Sequence, residues 1–186
     1  MGRSRKPPKG KKIRPTFFVF CEGKTEELYI KFLKSQYRVS IEIDSKKADH
    51  SISEKYIKNY KNTKFTHKKD KTFLLYDIDV QKILKKLQTI KDSTLLVSNL
   101  CIELWYLLHY KEQKAEIDCK KCNEELDKRN DGYSKNLIDN KLKENLKNKQ
   151  NKAINRAKKL ETFKNPCSKV YLLLEALEEV KKAIFK

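Results

Sequence analysis

The sequence predicts an α/β fold: a small, mostly parallel central sheet flanked by helices, with a C-terminal helical part. Three observations carry that prediction. Short runs of bulky apolar residues alternate with segments of helical spacing, the pattern of βαβ units. Three of those runs stop at acidic residues just before a helix begins, the edge at which open α/β sheets place their ligands. At 186 residues the chain is long enough to bury one core of ordinary size.

The elements follow in order. Residues 1–14, "MGRSRKPPKGKKIR", hold seven basic residues and no acid, and read as a disordered basic arm suited at most to phosphate contact. Residues 15–186 read as one domain. Its first strand is Thr16–Cys21, followed by a helix from about Thr25 to Gln36. "VSIEI" alternates as a second strand, and "SISEKYIKNYKN" has helical periodicity. "KTFLLYDIDV" gives a third strand, "QKILKKLQTI" a helix, "STLLVSN" a fourth strand and "CIELWYLLHY" an apolar helix. The chain is then polar from about Lys111 to Tyr133. A lysine-rich helix over roughly 140–160 follows, then an "NPCS" turn and a final amphipathic helix from about Val170. The polar helical stretch around 111–160 reads as an insertion beside the sheet. No internal repeat is visible.

Composition narrows the partners. The 44 basic residues outnumber the 25 acidic ones, for a net charge of +19, which makes a polyanion the natural partner. A solvated lysine-rich surface is the plainer account of the same balance. "TFFVFC" is shorter than the roughly 7–15 apolar residues of a signal h-region, and Glu22 interrupts it. No stretch approaches the roughly 18 apolar residues of a membrane span. The expected location is the cytoplasm, where five irregularly spaced cysteines fit reduced thiols.

The acids at the strand ends carry the chemistry. "FFVFCEGKTEELYI", residues 17–30, places Glu22 at the end of a strand and Glu26 and Glu27 in the first turn of a helix. "FLLYDID" ends the third strand with Asp77 and Asp79, two residues apart and so on one face of an extended chain. "LLVSNLCIELW" puts Glu103 at the start of an otherwise apolar helix. In parallel strands these acids emerge at one edge, where their mutual repulsion calls for a proton or a cation. Hard oxygen donors, with substrate phosphate completing the shell, suit Mg²⁺ or Mn²⁺. Plainer accounts exist. Acids in a first helical turn favour the helix dipole, and Asp-x-Asp after a strand is common turn chemistry. Glu103 resists such an account, because a lone carboxylate among apolar residues is costly.

Other motifs carry less. "GKT" at Gly23–Thr25 lacks the glycine a Walker A loop needs at position 18, which is Phe18. "CKKC", Cys119–Cys122, is a single CxxC without a second pair. The three histidines, His50, His67 and His109, have no metal spacing with one another. Trp105 and Tyr106 read as core.

"CEGKTE", "YDID" and "SNLCIELWYLLH" in that order, with "NPCSKVYLLL" near the end, resemble the RloB-like family. The resemblance runs from about Ile13 to Leu177 and implies a Toprim-like, Rossmannoid domain. It also implies a metal-dependent nuclease of prokaryotic anti-phage and abortive-infection loci, acting as effector beside a partner ATPase encoded nearby. By resemblance, the Toprim glutamate maps to Glu22 and the Asp pair to Asp77 and Asp79. Nucleases of the related overcoming-lysogenization-defect type have a second acid matching Glu26 and a Ser-x-Glu acid whose nearest counterpart is Glu103. A Gly-Tyr-x-Lys segment resembles Gly132, Tyr133 and Lys135 and suggests Lys135 as an electrostatic catalyst. Leu100 and Ile102 stand where the family has Pro and Phe.

The expected function is therefore hydrolysis of phosphodiester bonds in DNA or RNA, tRNA included, with Mg²⁺ or Mn²⁺ on Glu22, Glu26, Asp77, Asp79 and Glu103. The alternative is a non-catalytic, basic nucleic-acid-binding or adaptor subunit of an ATPase-containing complex. A topoisomerase or primase is disfavoured, because no tyrosine sits in a strand-breakage context and the chain has no room for the extra domains. Homo-oligomerisation is left open.

Overall fold

The computed structural model describes residues 15–44, 52–78 and 81–184. The basic arm, His50 and Asp79 lie outside the described residues. Strand β1 (Phe17–Cys21) is flanked by β2 (Ile41–Asp44) on one side and β3 (Lys71–Leu75) on the other, both parallel to it. Beyond β3 lies β4 (Thr94–Leu95), giving the order β2-β1-β3-β4. All five side chains of β1 are buried. Their alternation sends Phe17, Val19 and Cys21 into one core and Phe18 and Phe20 into the other. A strand buried on both faces carries an unbroken apolar run, and "FFVFC" is such a run.

Helices cover both faces. Helix α2 (Glu54–Asn62) and helix α3 (Gln81–Gln88) contribute Ile57, Ile83 and Leu87 to the core that contains Phe18 and Phe20. On the other face lie α1 (Lys24–Tyr37), α4 (Glu103–Tyr110), α5 (Cys119–Asn130), α6 (Asn140–Asn148), α7 (Gln150–Lys158) and α8 (Tyr171–Ile184). Helix α4 is buried from Glu103 to His109, so the helix that reads as apolar in sequence is the hub of this layer. Its Trp105 is fully buried and donates Nε1–H to the Tyr29 hydroxyl at 2.7 Å. Arg156 of α7 donates to the Leu108 carbonyl at 2.7 Å, satisfying one of the open carbonyls near the C-terminal end of α4. His109 Nδ1 lies 2.9 Å from the Trp105 carbonyl, and burial lowers its pKa to about 4.

Two sequence expectations are corrected, and a third is made specific. The fourth strand over "STLLVSN" is two: β4 stays with the main sheet, while β5 (Ser98–Asn99) pairs antiparallel with β6 (Cys167–Ser168). Leu96 and Val97 between them are fully buried. The backbone still follows β3 through Leu96 N to Leu74 O at 2.8 Å and Ser98 N to Tyr76 O at 3.2 Å. The "NPCS" turn is thus partly strand, and the Asn99–Leu100 and Asn165–Pro166 peptide bonds are both cis. The single helix over roughly 140–160 is two, because Lys149 leaves helical dihedrals at φ −107° and ψ 11°. Each half buries its own stripe, Leu142 and Leu146 in α6 and Ala153 and Ala157 in α7. Finally, the polar stretch after Lys111 contains α5, capped by the Asp118 side chain accepting from Lys121 N at 2.7 Å. Among the described residues no helix is long and apolar enough to cross a membrane.

The Trp105–Tyr29 bond joins α4 to α1 in a site without solvent. Tyr29→Phe leaves the indole N–H unpaired and is expected to cost about 1–3 kcal/mol in urea unfolding; an unchanged midpoint would show that the bond does not hold these helices together.

Candidate functional site

Parallel strands deliver their C-terminal ends to one edge, and four of the expected acids meet there. The β1–β3 register continues past Cys21, with Glu22 N–H donating to Leu75 O at 3.1 Å. The Glu22 side chain then accepts from the Asp77 N–H through Oε2 at 2.8 Å. Asp77 in turn bridges to Ser98, and Ile78 N–H donates to Ser98 O at 3.0 Å. One carboxylate is thereby fastened to the backbone that carries the next.

Gly23 opens the way into α1. A Cβ on it would lie 2.9 Å from Glu26 Oε2, so the glycine is the space into which the Glu26 carboxylate folds back. Glu26 and Glu27 part company here. Glu26 is 6 % exposed, whereas Glu27 pairs along the helix with Lys31 and, at 3.9 Å, with Lys24. Burial first, then the charges of Glu103 and Glu22, push the Glu26 carboxyl up to about 7.

Glu103 sits at the first turn of α4 and is 1 % exposed. It is compensated from the loop after α5: Tyr133 donates its hydroxyl to Glu103 Oε1 at 3.2 Å, and the Glu103 charge raises the Lys135 ammonium above its ordinary value. Gly132, at φ +95°, takes a left-handed conformation that only glycine adopts without strain, just before Tyr133 turns to α4. The Tyr133 ring meets Tyr106 edge-on, with centroids 6.4 Å apart. Asn136 follows, also at positive φ, and accepts from Thr25 Oγ1 at 3.0 Å. These side chains enclose a cavity of about 240 Å³ lined by Glu22, Gly23, Lys24, Thr25, Glu26, Asp77, Glu103, Lys135 and Asn136.

The structure thus brings Glu22, Glu26, Asp77, Glu103 and Lys135 to one cavity. Asp79 is the one residue of the expected set outside the described residues. Thr25 and Asn136 carried no sequence signal beyond their neighbours, "GKT" and Lys135. A further acid at this edge, Asp44 at the end of β2, is engaged by the Tyr56 hydroxyl. Among the described residues, no three His, Cys, Asp or Glu side chains already form a group that could hold a metal ion. The donor chemistry nonetheless suits a hard cation: several carboxylates converge, and burial, with the charges of Glu103 and Glu22, pushes one toward neutrality.

The model of the family described as RloB-like protein matches residues 17–177, a span that contains every residue of this cavity. The chain belongs to the RloB-like protein family. No curated protein and no solved structure matches it. In this RloB-like chain the Cys119–Cys122 pair is not alone. The hydrogen bond with the neighbouring Cys122 thiol, then burial, raises Cys101 far above its ordinary value, and Cys119 also borders it. All five cysteines are unbridged thiols.

The raised Glu26 has a pH consequence of fixed sign. Its pKa rises from 4.5 to about 7 on folding, so below 4.5 both states hold the proton and there is no penalty. Between 4.5 and 7 the folded state alone retains the proton, and stability falls as pH rises. In metal-free protein, Glu26→Gln is expected to raise stability at pH 8 by up to about 3 kcal/mol, with the gain vanishing near pH 4. Thermal melts in EDTA across that range check it. A gain independent of pH would contradict the assignment.

Proposed function

We propose that this RloB-like protein is a metal-dependent nuclease that hydrolyses phosphodiester bonds, with Mg²⁺ or Mn²⁺ held by Glu22, Glu26, Asp77, Asp79 and Glu103. The observation that supports this most is the convergence of acids from β1, α1, the end of β3 and α4 on one cavity that also contains Lys135. Such an ion, when bound, acidifies an attacking water and offsets charge on the leaving oxygen. The protein's own contributions are positional. Glu22 is oriented by the Asp77 N–H, so the two carboxylates keep a set relation to each other. Tyr133 orients Glu103 through Oε1 and leaves the other carboxylate oxygen for a ligand. Lys135, kept charged by Glu103, stands ready to meet negative charge growing on the phosphoryl oxygens. Thr25 and Asn136 brace the wall on which the phosphate rests.

An effector role in anti-phage defence, with a partner ATPase, belongs to the same proposal and rests on the family resemblance alone. The proposal covers DNA and RNA alike. The basic balance of the chain, +19, favours a polyanionic substrate in either case.

The test is cleavage of supercoiled plasmid, linear DNA and tRNA with Mg²⁺, Mn²⁺ or EDTA. Asp77→Asn preserves the N–H that Glu22 accepts and alters only the side chain. It is expected to lower the rate by about 10²-fold or more while leaving the melting profile unchanged. Lys135→Ala is expected to lower the rate similarly with nucleic-acid binding within about threefold of wild type. Metal-independent cleavage, or Asp77→Asn cutting as fast as wild type, would remove the proposal. Wild-type protein that binds but does not cut, even with the partner ATPase present, would leave the adaptor reading.

A further inference from the structure

A second, larger cavity of about 790 Å³ adjoins the acidic one, and the two share Asn136. Its volume lies within the roughly 300–1,000 Å³ of ordinary ligand clefts. One wall is a single face of α1, with Leu28, Lys31, Phe32, Ser35 and Gln36 at helical spacing. Lys143 and Lys147 of α6, Lys181 of α8 and the run Asn136–Leu137–Ile138 complete its lining. Four lysines and no acid line it. Lys31 is paired with Glu27. Among the described residues no carboxylate pairs with Lys143, Lys147 or Lys181. Lys143 and Lys147 stand one helical turn apart, a like-charge spacing that costs stability until an anion sits between them.

Charge is half of the pattern. Leu137 is 53 % exposed, one of two large hydrophobic residues so placed among the described residues. With Leu28, Phe32 and Ile138 it gives the cavity an apolar lining beside the exposed lysines. Apolar surface beside cations fits a nucleotide with its base on the apolar side chains and its phosphates on the lysines. In a duplex the base faces are stacked and paired, and cannot enter a recess between helices. The loop 135–138 also divides the two cavities: Lys135 and Asn136 line the acidic one, and Asn136, Leu137 and Ile138 the basic one.

We propose that the basic cavity holds an unpaired nucleotide of the substrate strand, next to the phosphate cleaved in the acidic cavity, so that the substrate is single-stranded at the cut site. This inference rests on the nuclease reading of the acidic cavity. Lys143 and Lys147 grip the flanking phosphates, the base lies against Phe32 and Leu137, and Asn136 is the crest the strand crosses.

The experiment measures binding in EDTA, where cleavage does not intervene. Labelled single-stranded DNA and RNA oligomers and a duplex of the same sequence are titrated in fluorescence anisotropy over a range of salt. The double variant Lys143→Ala/Lys147→Ala changes two exposed helix positions, and its fold is checked by circular dichroism. It is expected to weaken single-strand binding about tenfold and to lower the log–log salt slope by about 1.4, two contacts at 0.7 each. Duplex binding should stay within about twofold. The control Lys55→Ala/Lys58→Ala, on α2 across the sheet, removes the same charge and should change neither by more than about twofold. Leu137→Glu should weaken single-strand binding at least as much as the double lysine variant. The inference is overturned if the two lysine doubles behave alike, if duplex falls with single strand, or if adenosine monophosphate displaces the strand at concentrations that mark it as the better ligand. A protein that shows the expected pattern yet never cuts would keep this site and lose the nuclease reading. One that cuts, with Lys143→Ala/Lys147→Ala binding as wild type, would lose this site alone.

Discussion

The acidic edge of the sheet depends on one pair of contacts. Glu22 donates its N–H to Leu75 O at 3.1 Å and accepts the Asp77 N–H on its side chain at 2.8 Å. The first bond is ordinary parallel pairing carried one residue past β1. The second replaces a ladder bond with a side-chain one, at the point where β1 turns into α1 and can no longer supply a carbonyl. Through it the carboxylate of one strand end is tied to the backbone of the next. Glu22 and Asp77 then share a fixed frame, and Gly23 makes room beside them for Glu26.

That arrangement runs against stability. Four buried or half-buried acids share a cavity with Lys24 and Lys135, and Glu26 answers by holding its proton up to about pH 7. Polar groups brought in from far along the chain limit the cost. Tyr133 gives Glu103 a donor, Lys135 gives it charge, and Asn136 takes the Thr25 hydroxyl. The loop after α5 is therefore the second half of the site, even though its residues lie more than a hundred positions after Glu22. A fold seeking only stability would place apolar residues here. Carboxylates converging in a recess fit the proposed reception of a cation and a phosphate.

The sheet was legible because its signals are strong and local. "FFVFC" and "FLL" are unbroken apolar runs, as strands covered on both faces require, and each is followed by acid. Parallel topology then places those acids together without further information. Glu103 could be singled out for the same reason: a carboxylate in an apolar helix must be held by something. What held it was not legible. Tyr133 sits in a polar segment whose return depends on Gly132 at positive φ and on contacts with Tyr106. Strands of two residues, such as β5 and β6, are too short to show a period. The break at Lys149 follows no proline or glycine. Lys135 was indicated by family resemblance rather than by spacing, and Asn136, the residue common to both cavities, carried no signal at all.

The most direct test of the central claim is anomalous scattering from crystals of the protein grown with Mn²⁺. The account requires a manganese peak in the cavity, within bonding distance of Glu22 and Asp77 carboxylate oxygens, with Glu26 turned toward it. An occupied site elsewhere, or well-ordered carboxylates with no peak between them at saturating Mn²⁺, would contradict it. The converging acids would then be a structural feature of the sheet edge and not a metal centre.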